Sequence, residues 1–476
     1  MIHSFGYCLE KIGEIGEVLQ TNDFLVTVKG LKNAKIGEGV TFENEIHGRV
    51  MSQGSDGAVV LVLSRIPIQP KTKAARTGVP LSVSAGDGLL GHMIDTSGRS
   101  LTNRRQKSFA PQKRVIEIHA SGISDRTRIS RFFETGIALG DLLIPLGYGQ
   151  RELIIGDRQS GKTHYLLEVM LAAAKKGTVC IYCAIGKRKS EIKLIDQFLS
   201  ERKILGQSII VAADSYSSPG EVYLAPYTAM TIAEYFRDQG RDVLLILDDL
   251  TTHAKYYREI GLLSNQLPGR ESYPGDIFYA QSKLLERAGS FAFDGINTTI
   301  TCLPVADTVG GDLTGYIQTN LMAMTDGHLY FDSEEYFAGR RPPINIFLSV
   351  TRVGRQTQPS LFQDTGYELL KLLKQYEYTK QFLRFETELS QNIRQTLQRG
   401  TELMIFFNQI GYLSIAPHVA VYVVALIFLG HYQQTKVEDY VKKYEQNKTF
   451  RQSLDHLAET AKTLTEFIGL VEKKLI

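Results

Sequence analysis

The sequence predicts a multidomain α/β protein in three successive parts: an N-terminal β-barrel, a central domain on a mostly parallel sheet, and a C-terminal α-helical bundle. Three observations predict it. From about residue 8 to 70, apolar and polar residues alternate between glycine-bearing turns. From about 76 to 355, short Val, Ile and Leu runs lose that alternation and are separated by helical segments. From about 356 the strand signal fades. The expected boundaries are 1–70, 71–355 and 356–476, and three domains fit a 476-residue chain.

In the first part, Phe24-Leu25-Val26-Thr27-Val28 and Ala58-Val59-Val60-Leu61-Val62-Leu63 read as short strands. Turn signals at Lys29-Gly30, Gly37-Glu38-Gly39 and Gln53–Gly57 space them as in a small closed barrel. The proline-bearing stretch Pro67–Lys73 marks the exit. In the second part, Leu153-Ile154-Ile155, Val179–Ala184, Ile209–Ala213, Val243–Leu247, Thr299–Leu303 and Ile344–Val350 read as strands covered on both faces. In the third, Leu369–Arg399 and Phe450–Leu475 read as helices, with a polar break at Gln433-Gln434-Thr435.

Composition narrows the function. Hydrophobic residues make up 43% and charged residues 22%, enough for sizeable cores and against disorder. Basic residues number 54 against 51 acidic, so no basic excess points to nucleic acid. Cys180 and Cys183 have C-x-x-C spacing but fall on one strand, where positions i and i+3 face opposite ways. They read as small core residues of a reducing compartment. The longest apolar run, Val419–Gly430, is too short to span a bilayer and reads as a buried helix. Met1–Gly6 shows no signal-peptide pattern, so a cytoplasmic chain is expected.

The sharpest motif is Gly156-Asp157-Arg158-Gln159-Ser160-Gly161-Lys162-Thr163, a P-loop between a strand and a helix. Its backbone N–H groups and the helix N-terminus favour phosphate. Lys162 is expected on the outer phosphates and the Thr163 hydroxyl on Mg²⁺. The run Val243–Leu247 ends in Asp248, which is expected in the Mg²⁺ shell through water. ATP or ADP with Mg²⁺ is therefore the expected ligand, on a RecA-like P-loop domain.

Beyond these motifs, the chain resembles the α subunit of F-type ATP synthase from about Glu14 onward. The resemblance rests on Gly149–Gln159, Pro268–Asp276, Leu284–Ala288 and Ser349–Gly354. It implies an alternating three-plus-three ring with catalytic β subunits around a central γ shaft. It further implies a peripheral position on the cytoplasmic face of the plasma (inner) membrane, coupled indirectly to an ion-translocating sector. It implies that Arg352 enters the neighbouring β site as an arginine finger, and that Arg341, Pro342 and Gln409 lie on the adenine side. In β subunits a glutamate orients the attacking water. The matching position here is Lys187, which cannot accept a proton as a carboxylate does. The site is thus expected to be non-catalytic, with Lys187 near the phosphates or facing solvent and Glu191 the one candidate for a displaced base.

Departures from the family accompany these matches. Gly411 stands where a second base-flanking glutamine is usual, and Phe385-Glu386-Thr387-Glu388 departs from the usual shaft-facing stretch. About a dozen residues precede the barrel, so the usual δ contact is not expected, and the divergent sodium-pumping type fits. Two other classes compete with this one. A type III export ATPase needs the glutamate absent at Lys187. An RNA-translocating hexamer needs stacking aromatics and basic loops in its barrel.

Overall fold

The computed structural model describes residues 4–102, 104, 111–293, 295–382 and 391–474. The departure noted at 385–388 lies outside them. The described chain forms two compact units: Met1–Thr127 with Ala174–Thr308 and Asp312–Thr325, and Arg128–Ala173 with Val309–Gly311 and Asp326–Ile476.

The first unit opens with a helix, Phe5–Ile12, started by the Ser4 hydroxyl accepting from Tyr7 N. Six antiparallel strands follow: Ile15–Asn22, Leu25–Lys29, Glu38–Phe42, His47–Gln53, Ala58–Val62 and Lys73–Pro80. They close a barrel in the order first, second, fifth, fourth, third, sixth. Val26, Val28, Val40, Phe42, Val50 and Val60 fill it with no more than 1% exposure each. The closing strand lies beyond residue 70. The proline stretch read as the exit is a turn inside the barrel, tied back by Lys71 N on Val18 O and Thr21 Oγ1 on Ile68 O.

The same unit carries parallel strands in the order Ile296–Thr308, Val243–Asp248, Val179–Lys187, Ser208–Asp214 and Met93–Ile94. Their central residues are buried throughout, which explains the missing alternation. Cys180 and Cys183 are buried free thiols on the middle strand.

In the second unit, Leu153–Asp157 pairs parallel with Gly327–Phe331, which pairs antiparallel with Val350–Thr351. Helix Lys162–Lys175 follows the first of these strands. The C-terminal helices are Ser360–Phe382, Gln391–Phe407, Pro417–Leu429, Val437–Gln446, Lys448–Thr460 and Leu464–Lys474. Pro417–Leu429 is the apolar run, and ten of its thirteen residues are buried. No helix among the described residues is long and apolar enough to cross a membrane. The expected last helix, Phe450–Leu475, is two. Ala461 takes an extended backbone, and Leu464 N then donates to Asp364 Oδ2 at 2.7 Å, starting a new helix.

Candidate functional site

The phosphate loop sits between strand Leu153–Asp157 and helix Lys162–Lys175, as its sequence predicts. Glycine at 156 is required by close packing: a Cβ there would meet Phe331 O at 2.3 Å. The Asp157 carboxylate accepts from Gly311 N at 3.0 Å and from Ser333 Oγ at 3.2 Å. Asp157 therefore anchors the loop, while Arg158 and Gln159 are exposed along it. Gln159 adopts φ 62°, and Ser160 Oγ donates to Asp157 O at 2.7 Å. These curl the loop back on itself. Lys162 Nζ donates to Gly156 O at 2.7 Å and Asp157 O at 2.5 Å, and the Thr163 side chain is exposed at the helix start.

On the adenine-side segment, the Arg341–Pro342 bond is cis. The Arg341 guanidinium lies 3.8 Å from the Tyr336 ring centroid and donates to Tyr336 O at 2.9 Å. Gln409 is 5% exposed. Its side-chain oxygen accepts from Ala138 N at 3.1 Å, and its amide nitrogen donates to Gly136 O at 2.9 Å and to Leu413 O. Both amide hydrogens are thus used on backbone. The expected contact of Gln409 with a base becomes a brace between loops.

Arg352 follows strand Val350–Thr351 and is exposed. Its backbone N donates to Asp326 O at 2.9 Å, and Asp326 in turn holds Arg151 at 2.8 Å. Beneath it, Gln150 Nε2 donates to Glu152 Oε2 at 2.6 Å and to Thr351 Oγ1 at 3.1 Å. Burial, and then Asp326, push the Glu152 carboxyl well above the usual carboxylate range, while Gln150 and Arg352 oppose the rise. The base of this arginine is a fixed platform.

The acidic strand end belongs to the first unit, and here the structure adds what sequence did not supply. Lys187 Nζ lies 2.8 Å from Asp248 Oδ1, and the Tyr182 hydroxyl donates to Asp248 Oδ2. Asp248 is 2% exposed. Lys187 is half-buried and is paired with the expected Mg²⁺-shell residue. Burial opposes the Lys187 ammonium, but Asp248, Asp249 and Asp307 outweigh it and hold it above the ordinary lysine range. Burial, with Asp307 and Asp248 adjacent, pushes Asp249 up to about 6. Asp249 Oδ1 accepts from Thr252 N at 2.6 Å and Oδ2 from Thr252 Oγ1 at 3.0 Å, capping helix Leu250–Leu263. Glu191 accepts from Arg188 N at 3.3 Å at the start of its own helix, a capping role in place of a displaced base.

Tyr182 and Lys187 are five apart, so a regular strand would aim them at opposite faces. They meet on one carboxylate because the pairing register shifts between Ile185 and Lys187. Gly186 makes the shift possible with φ 66°. The register pairs Ala184 with Asp248, which leaves Lys187 within reach. The signal was in the sequence as a glycine just before a lysine at a strand end, but only the pairing register gives it meaning.

One Asp248 oxygen holds the Lys187 ammonium and the other the Tyr182 hydroxyl. A carboxylate has lone pairs beyond these two, so the expected contact with Mg²⁺ through water is compatible with both partners.

Residues 136–351 match the family model for the nucleotide-binding domain of the ATP synthase alpha/beta family. The chain is 40% identical over 392 residues to ATP synthase subunit alpha 1 of Dinoroseobacter shibae, covering 82% of this chain and 76% of that one. It is 36% identical over 414 residues to ATP synthase subunit alpha of Rickettsia bellii, covering 85% and 81%. It is 37% identical over 441 residues to the Dictyoglomus thermophilum subunit, covering 91% and 86%. With the barrel, the phosphate loop and the helical C-terminal region in place, the chain belongs to the family of ATP synthase alpha subunits.

Proposed function

We propose that this chain is the nucleotide-binding, non-catalytic alpha-type subunit in the soluble head of a rotary ATP synthase or ATPase. In that head it alternates with catalytic β subunits around a γ shaft, peripheral to the cytoplasmic face of the membrane. ATP synthesis or hydrolysis in the ring is coupled to proton or sodium transport through a membrane sector. Gly156–Thr163 hold the phosphates of ATP or ADP, with Arg341, Pro342 and the Gln409 brace shaping the base side. Thr163 is the chain's own candidate for metal contact. Asp248, held by Lys187, is its candidate for contact with Mg²⁺ through water.

The observation that carries the non-catalytic reading is Lys187 bound to Asp248 where a catalytic subunit places a carboxylate. Water attack needs a group that accepts a proton, and a lysine ammonium has no lone pair to offer. The chain's contribution to chemistry is then Arg352, exposed at its strand end and supplied to the adjoining β site. A guanidinium there neutralises charge developing on the transferring phosphoryl group.

The purified chain should bind ATP and turn it over very slowly. Rapid turnover by the chain alone, lost on Asp248→Ala, overturns the non-catalytic assignment. In the reconstituted ring, Arg352→Lys should lower the ATPase rate by roughly 10³-fold or more. An unchanged rate removes the finger role.

A further inference from the structure

We infer that this chain's nucleotide site does not select the base, so that it takes guanine and adenine nucleoside di- and triphosphates alike. The inference rests on the nucleotide-binding reading above and deepens it by naming the ligand class. Every residue it uses belongs to the second unit.

A site that reads a base holds hydrogen-bonding groups fixed against the base edge. Adenine presents an amino donor where guanine presents a carbonyl acceptor. Groups set for one are left unpaired by the other, and such sites discriminate by roughly 10⁴–10⁵. Here the groups placed on the base side are engaged within the chain. Gln409 Oε1 accepts from Ala138 N, and its Nε2 donates to Gly136 O and Leu413 O. Arg341 O accepts from Gln409 N at 2.7 Å, and Arg341 N donates to Asn408 Oδ1 at 2.7 Å. Arg341 Nη1 donates to Tyr336 O at 2.9 Å and to Arg340 O at 2.6 Å. Pro342 has no N–H. Gly411 offers no side chain, and a Cβ there would meet nothing within 4 Å, so that side is open.

What is left for a base is a flat surface and an adaptable amide. The Arg341 guanidinium stands 3.8 Å from the Tyr336 ring centroid. A guanidinium plane takes any base, because every base has a π-face. Its other N–H groups are donors only, and both purines carry the N7 acceptor. Gln159 is exposed on the phosphate loop. A rotating amide presents either donor or acceptor and so suits both bases. Affinity then comes mainly from the phosphate loop, which serves a part common to both nucleotides.

The test is titration calorimetry of the full-length chain with ATP and with GTP, each in Mg²⁺. The two dissociation constants should agree within about tenfold, the ratio that about 1.4 kcal/mol represents. Arg341→Ala should weaken both nucleotides by the same factor, about tenfold, the low end for a lost stacking contact. A loss confined to one nucleotide overturns the inference. Because that variant also strips the cover from the Tyr336 ring and could unfold, the native chain decides by itself. A preference beyond about tenfold for either nucleotide overturns the inference and leaves the nucleotide-binding reading intact. Absence of binding by both nucleotides overturns both.

Discussion

Lys162 opens a helix and Lys187 closes a strand, and they are held in different ways. Lys162 donates to two backbone carbonyls of its own loop, Gly156 O and Asp157 O. Those acceptors are neutral, and an incoming phosphate offers a stronger charge-assisted bond. Lys187 is held by a buried carboxylate. Nothing neutral replaces that partner, and separating the pair leaves a charge in low dielectric. One lysine is thus set to be released to a ligand and the other to stay where it is. The P-loop pattern identifies the first. Only strand register identifies the second.

That contrast can be broken most directly by removing the locked lysine. Lys187→Ala should destabilise the chain by about 3 kcal/mol, the low end for a broken buried pair because Lys187 keeps some exposure. A urea midpoint unchanged from the native chain would place Lys187 outside the structural core. Removing the releasable lysine should act on ligand instead. Lys162→Ala should weaken ATP binding by about a hundredfold, from one or two charge-assisted hydrogen bonds, with little change in stability. A large stability loss with unchanged affinity would reverse the two roles.

A third measurement sharpens the cluster's charge. Asp249 titrates at about 6 in the folded chain, above the ordinary aspartate value. The folded state therefore binds more protons than the unfolded state between those values. This contribution to stability is full below the unfolded pKa and is lost as pH rises to about 6, at no more than about 1.4 kcal/mol per pH unit. Asp249→Asn should remove that component from stability measured between pH 4 and 6, and an identical slope in the variant refutes it. The smallest effect concerns the brace. Gln409→Ala strands buried backbone groups and should cost about 1–2 kcal/mol in stability. ATP affinity should change less than about twofold on the scale where tenfold is 1.4 kcal/mol. A larger affinity loss with unchanged stability would return Gln409 to direct base contact.

Much of the architecture was legible because local pattern and global fold agree. Glycine-punctuated alternation gave the barrel, and unalternated Val, Ile and Leu runs gave covered strands such as Val179–Lys187. Its end was misplaced because Pro67–Lys73 looks like a linker, whereas long-range bonds from Lys71 to Val18 make it a turn. The helix break at Ala461 is not legible because Ala461-Lys462-Thr463 contains no glycine or proline, and the next helix starts where Leu464 N donates to Asp364, a hundred residues earlier. In the site, Gly156–Thr163 was legible as a contiguous motif. The pairing of Lys187, Tyr182 and Asp248 was not, since it depends on a register shift between neighbouring strands. Gln409 was expected on the adenine side because the family resemblance implies it, and hydrogen-bond partners 271 to 273 residues away hold its amide.

The kink at Gly186 gives chain length, not composition, command over this cluster. Excising one residue between Ile185 and Lys187, or straightening the segment with a β-branched side chain, would swing the ammonium to the sheet's other side while every ionisable group stayed in the protein. Asp248 would then lose its ammonium by geometry alone.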